Sequence, residues 1–140
     1  MVLEFARAEN SDDPFEFRFA PQTYLLRGAG GGYQQARFPW DAALISDLEA
    51  VRDAGGDPEV LARLGELLHR FVTPLGWPQL AMQIKQARDQ GQRVLLTIRS
   101  AAAELYALPW ELLTLGASGE HVGALPDVLL TLRPPCLLTL

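Results

Sequence analysis

The chain has 140 residues, enough for one domain around one core and too few for two ordinary ones. It is 49% hydrophobic and 21% charged, with no apolar run near the ~18–20 residues that span a bilayer, so a soluble globular domain is expected. A net charge of −5 opposes attraction to phosphate backbones and anionic lipid, which argues against nucleic acid and membrane as partners. Cys136 is the single cysteine and has no internal disulfide partner. His69 and His121 alone do not make a structural zinc site, so no metal or cofactor is expected. The start, Met1-Val2-Leu3-Glu4-Phe5, has no basic segment followed by an apolar one, and cytoplasm is the expected location.

The first third reads as strands. Phe15, Phe17 and Phe19 alternate with Glu16 and Arg18 at the period of a half-buried strand, the clearest such pattern in the chain. Residues 2–7 and 23–27 are weaker strands, separated from it by the turn formers at residues 10–14 and by Ala20-Pro21. Together they predict a small antiparallel meander over residues 1–33. Gly28-Ala29-Gly30-Gly31-Gly32 resembles a phosphate cradle only in composition. Tyr33 stands where a dinucleotide fingerprint needs glycine, and no Gly-Lys-Ser/Thr follows, so a loop or hairpin is expected.

Three helices are predicted over residues 41–90. Asp41 caps the first, with Trp40 positioned to staple onto Ile45; Leu44, Ile45, Leu48 and Val51 form its stripe, and Gly55-Gly56 ends it. Asp57-Pro58-Glu59 supplies the second with a cap, a first-turn proline and an acid at the positive end of the dipole. Val60, Leu61, Leu64, Leu67, Leu68 and Phe71 make its core face, and His69 falls about opposite, on the solvent side. Pro78 opens the third helix, which points Leu80, Ile84 and Ala87 inward and stops at Gly91.

Residues 92–140 carry a strand at 94–98 set well inside a sheet, a turn at Gly116-Ala117-Ser118-Gly119, a short strand at 120–124, and a strand at 128–132 stopped by Pro134-Pro135. Between them lies Leu108-Pro109-Trp110-Glu111-Leu112-Leu113. Pro109 fits the first position of a helix and puts Glu111 near the dipole's positive end. Trp110 and Leu113, three apart, share an inward face against the 94–98 strand.

The strand ending Ile98-Arg99-Ser100, the Leu-Pro-Trp-Glu-Leu-Leu block at 108–113 and the strand at 129–133 together resemble the CHAT family, a branch of the caspase-like cysteine peptidases. The upstream short strands and the helix led by Phe38-Pro39 are similar too; Leu108, Pro109, Trp110, Glu111, Leu112 and Leu113 are the specific part. The resemblance implies an α/β fold: a mixed sheet with flanking helices, preceded by the meander, as the N-terminal section of a CHAT module. It implies a cysteine endopeptidase whose His-Gly and Cys lie in a later half, with Leu140 at the junction. It also implies a setting in bacterial defence or programmed cell death, with helical-repeat or nucleotide-sensing domains as regulatory partners.

Residue by residue, no catalytic group is expected in this chain. His121 is followed by Val122 before Gly123, and Cys136 follows Pro134-Pro135, so neither has the glycine-rich surroundings of a cysteine–histidine dyad; a turn histidine and a small apolar cysteine are expected. Asp12 and Asp13 before Pro14 are turn chemistry, and the Pro109 boundary separates Glu104 from Glu111. The expected role is a scaffold for the catalytic half, which docks on the apolar tail from Val128 onward, residues 128–140. The alternative is a standalone adaptor or regulatory module that binds a partner protein there without peptidase activity.

Overall fold

The computed structural model describes residues 1–8, 17–27, 32–54, 57–115 and 120–133. It is α/β, with a mixed five-stranded sheet in the order β3-β2-β1-β4-β5 and helices packed on it. The strands are β1 (Val2–Arg7), β2 (Gln22–Arg27), β3 (Tyr33–Phe38), β4 (Val94–Ser100) and β5 (Val128–Arg133). Among them β1, β4 and β5 are parallel, while β2 and β3 join by antiparallel pairing. Strand β4 lies inside the sheet, between β1 and β5.

The meander differs from expectation in two ways. Residues 17–19 are not a strand. Phe17 and Phe19 are both exposed and stack on each other at 5.8 Å, and Phe19 meets the Trp40 ring edge-on at 5.1 Å. Their alternation reflects ring-to-ring packing in a connection; Phe15 and Glu16 lie outside the described residues. The third strand is instead β3, paired with β2 over six positions. Only Phe38 of β3 is buried, so this polar edge strand is held by backbone pairing and shows no alternation of apolar residues. The meander also belongs to the main sheet, because β1 pairs directly with β4.

Helices α1 (Ala42–Ala54), α2 (Pro58–Val72) and α3 (Trp77–Asp89) start where local chemistry places them. The Asp41 carboxylate accepts from the Leu44 amide at 2.8 Å, and Asp57 accepts from the Glu59 amide at 3.0 Å with Pro58 in the first turn. Gly91, at φ 72°, ends α3: the Gln92 amide turns back to the Ala87 carbonyl at 2.9 Å. The inward faces agree with the predicted stripes at Leu44, Leu64, Leu68, Phe71, Leu80 and Ile84. Gly55 and Gly56 lie outside the described residues.

Two further expectations are corrected. The block at 108–113 forms a single three-residue 3₁₀ turn, Trp110–Leu112, with Pro109 as its N-cap rather than its first residue. The segment at 120–124 is no strand: His121 makes one isolated bridge with Thr114, and Val122–Ala124 is a 3₁₀ turn. Prolines and glycines crowd this region, so the chain turns back before a longer element forms. The Leu115 amide donates to the Glu120 carbonyl at 2.9 Å; residues 116–119, expected as a turn, lie outside the described residues.

All layers collect on one sheet face. Leu3 and Phe5 of β1, Tyr24 and Leu26 of β2, Phe38 of β3, and Leu96 and Ile98 of β4 point into one core with α2, α3 and Trp110. Among the described residues no helix is long and apolar enough to cross a membrane.

Candidate functional site

The 108–113 block is the most specific sequence feature, and the fold builds inward from it. Trp110 is 1% exposed. Its indole N–H donates to the Leu105 carbonyl at 2.8 Å, and its ring lies 5.2 Å from that of Phe5, which stacks on Phe71 of α2. Leu108 and Leu113 are buried with it, Leu112 is half-buried, and Glu111 faces solvent. Two glycines permit this seat. A Cβ on Gly65 of α2 would come within 2.6 Å of the Leu112 carbonyl oxygen, and one on Gly123 within 2.6 Å of the Glu111 Cβ. The block is therefore clamped between β1, α2 and the 122–124 turn.

Both histidines are bound to this clamp. His121 Nδ1 lies 2.6 Å from the Leu112 carbonyl, and His69 Nδ1 lies 3.1 Å from the Thr114 carbonyl, which also accepts from the Trp77 indole at 2.8 Å. A carbonyl only accepts, so each Nδ1 carries the proton. His69 is half-buried, which corrects its expected solvent position: the 112–115 segment covers that side of α2. Cys136, Asp12 and Asp13 lie outside the described residues. Glu104 and Glu111 do not share a site, since Glu104 is sealed in the interior and Glu111 is exposed.

Glu104 anchors a buried polar cluster that sequence reasoning did not find. Its Oε1 accepts from Arg7 Nε at 3.1 Å, Gln22 Nε2 at 3.0 Å and the Tyr24 hydroxyl at 2.9 Å, while Oε2 takes Arg7 Nη2 at 2.5 Å. The Trp40 indole donates to the Tyr24 oxygen at 2.8 Å, and Gln22 also donates to the Arg18 carbonyl. Burial raises the Tyr24 hydroxyl well above the ordinary tyrosine range, reinforced by the Glu104 charge and opposed by the Trp40 donor. With four donors on its carboxylate and no exposed surface, Glu104 joins β1, β2 and the segment before the block. One signal was available: at a period of two, Arg7 falls on the same face as Leu3 and Phe5, and a core-facing arginine requires an acid.

Two accessible surfaces border the clamp. A groove of about 590 Å³ runs between α1 and the block, lined by Phe19, Ile45, Leu48, Leu108, Pro109 and Leu132, with Tyr106 and Glu111 at its margins. The half-buried side chains of Ile45, Leu48 and Val51 thus form a wall of the groove more than a part of the core. Beside it, β5 is the last strand of the sheet, with Leu129 64% and Leu132 45% exposed. The Tyr106 hydroxyl lies between the carbonyls of Ser100 and Arg133, at the ends of β4 and β5, with its one proton to donate to either; burial raises its pKa. The described residues contain no group of three or more His, Cys, Asp or Glu placed to hold a metal. No protein-family model, curated protein or solved structure matches the chain.

Proposed function

We propose that these residues are the non-catalytic N-terminal portion of a CHAT-type, caspase-like cysteine endopeptidase, a scaffold on which a His/Cys catalytic half docks. The observation that carries this reading is the outer edge of β5, unpaired among the described residues and lying beside the groove under the 108–113 block. An edge strand offers a row of open N–H and C=O groups, and β5 adds exposed leucines on both of its faces. Strand addition at such an edge supplies backbone hydrogen bonds, and a neighbouring groove accepts side chains from the added segment.

The order of elements supports the reading: strand β4, then Leu108 to Leu113 in the order Leu-Pro-Trp-Glu-Leu-Leu, then parallel strand β5. A sheet growing outward from β5 gives the next strands the parallel neighbours on which the family carries its histidine and cysteine. Imidazole then activates the thiol for attack on a peptide carbonyl. Within the described residues, the His121 and Glu104 side chains are engaged in holding the scaffold. The setting in bacterial defence or cell death, the cytoplasmic location and the regulatory partners rest on the resemblance alone.

The test is the mass and reading frame of the native protein, followed by a peptide-cleavage assay. The expected polypeptide continues past residue 140 into a His-Gly and a later cysteine, and its cleavage is lost when that cysteine is changed to alanine but kept in Cys136→Ala. A native chain of 140 residues that cleaves nothing favours the adaptor reading. Turnover by residues 1–140 that vanishes in Cys136→Ala overturns both.

A further inference from the structure

Among the described residues, the second face of the sheet leaves large apolar side chains exposed, and the topology gives a reason. Between β3 and β4 the chain passes through α1, α2 and α3, and between β4 and β5 through short 3₁₀ turns. Both connections step the same way across the sheet. Right-handed crossovers stepping the same way leave their layers on one face. Val2, Leu95 and Leu129 on the other face are accordingly 39%, 51% and 64% exposed.

The strand registers draw a line of charge across that face. Tyr33 of β3 stands beside Arg27 of β2, Arg27 beside Glu4 of β1, Glu4 beside Arg99 of β4, and Arg99 beside Arg133 of β5. Three arginines meet one glutamate in a chain whose net charge is −5. Arg27 lies over the Tyr33 ring at 5.7 Å, and Glu4 reaches Arg99 only at 3.7 Å. Arg99 Nε is buried and has no hydrogen-bond partner among the described residues. It borders a hollow of about 290 Å³ lined by Glu4, Ala6, Leu25, Tyr33 and Ala101.

We propose that this face is the docking surface of a separate protein chain, which lays on it an amphipathic helix with carboxylates facing Arg99 and Arg133. The apolar side of that helix covers Val2, Leu95 and Leu129, as a helix stripe covers a sheet. Arginine's planar fork suits carboxylates, and the Arg99 side chain is still 38% exposed while Arg133 is exposed, so a carboxylate can reach both from solvent. A permanently attached layer of the same chain calls for near-continuous hydrophobic strands, whereas this face interleaves leucines with arginine, threonine and glutamate. Such a mixture, rich in arginine, belongs to a partner that comes and goes. A second copy meeting face to face sets arginine row against arginine row, which like-charge repulsion disfavours. The inference shares Leu129 with the peptidase reading but rests on the face of the sheet and not on the β5 edge.

The test places a photo-crosslinking benzophenone side chain at position 129 of the native, full-length protein in its own cells and maps the crosslinked segment by mass spectrometry. The expected product is a segment of another protein with helical apolar periodicity and Asp or Glu within one turn of the crosslink. Its yield falls at least about ten-fold in Arg99→Glu/Arg133→Glu and returns when the mapped carboxylates are changed to lysine. A far-ultraviolet circular dichroism melt on the same variant separates loss of docking from loss of fold; if the double variant unfolds, Arg133→Glu alone is read the same way. Crosslinks that ignore the charge reversal, that join two copies of this chain, that fall within its own polypeptide or on nucleic acid, or that do not form at all, overturn the proposal.

Discussion

Arg7 and Glu104 are ninety-seven positions apart and meet in a forked ion pair, Nε on Oε1 and Nη2 on Oε2, with 4% and 0% of their side chains exposed. The pair ties the end of β1 to the segment entering the 108–113 block, and through Tyr24 and Trp40 it reaches β2 and the start of α1. Removing one partner leaves the other charge buried without its counterion. Glu104→Ala is therefore expected to lower the unfolding free energy by about 3–5 kcal/mol in urea denaturation. Arg7→Met combined with Glu104→Leu is expected to cost less than the two single changes added together.

The Tyr24 hydroxyl makes alkaline stability a second readout. Its pKa is raised in the folded chain, chiefly by burial, so the folded state holds the proton after the unfolded chain has begun to lose it. This contribution is complete below the ordinary value of 10.0 and falls away as pH rises from there toward the folded value. Between pH 9 and 11 the stability of the wild type is expected to drop more steeply than that of Tyr24→Phe, by up to about 1.4 kcal/mol per pH unit. Parallel slopes for the two proteins contradict the buried, proton-holding hydroxyl.

Gly65 supplies a packing test whose sign is opposite to helix propensity. In an exposed helix Gly→Ala stabilises by roughly 1 kcal/mol. Here the added methyl meets the Leu112 carbonyl at 2.6 Å and the His121 ring at 2.9 Å. Gly65→Ala is expected to cost about 1–3 kcal/mol and to lower the thermal midpoint. A rise in the midpoint means that the block does not sit against α2.

Trp110 should be the costliest single side chain of the block. Trp110→Ala is expected to lose about 3–5 kcal/mol, whereas Glu111→Ala, at an exposed position, should stay within about 0.5 kcal/mol. Trp40, Trp77 and Trp110 are all buried, so the native emission is blue-shifted and iodide quenches it weakly. Strong quenching in the folded protein is the contrary result.

What was legible in the sequence was local. Asp57-Pro58-Glu59, Pro78 and Gly91 bounded their helices because caps and φ preferences act within one turn, and β4 stood out through its β-branched alternation. What was not legible depended on distant partners. Strand β3 is polar and exists through pairing with β2. Phe17 and Phe19 alternate like a strand but are held by each other and by Trp40. Glu104 is an unremarkable acid until residues 80 to 97 positions away in sequence converge on it. Pro109 fits a first-turn rule that holds only if a helix follows, and here a three-residue 3₁₀ turn follows.

The central claim is that β5 is an edge made to be covered by a following half, and amide hydrogen exchange across Val128–Arg133 tests it most directly. In residues 1–140 alone, the account expects rapid exchange at the outward-facing amides of β5 and slow exchange in β4; in the native protein purified from its source, the β5 amides should become as slow as those of β4. Equally slow β5 exchange in the isolated chain, or equally fast exchange in both, contradicts the account.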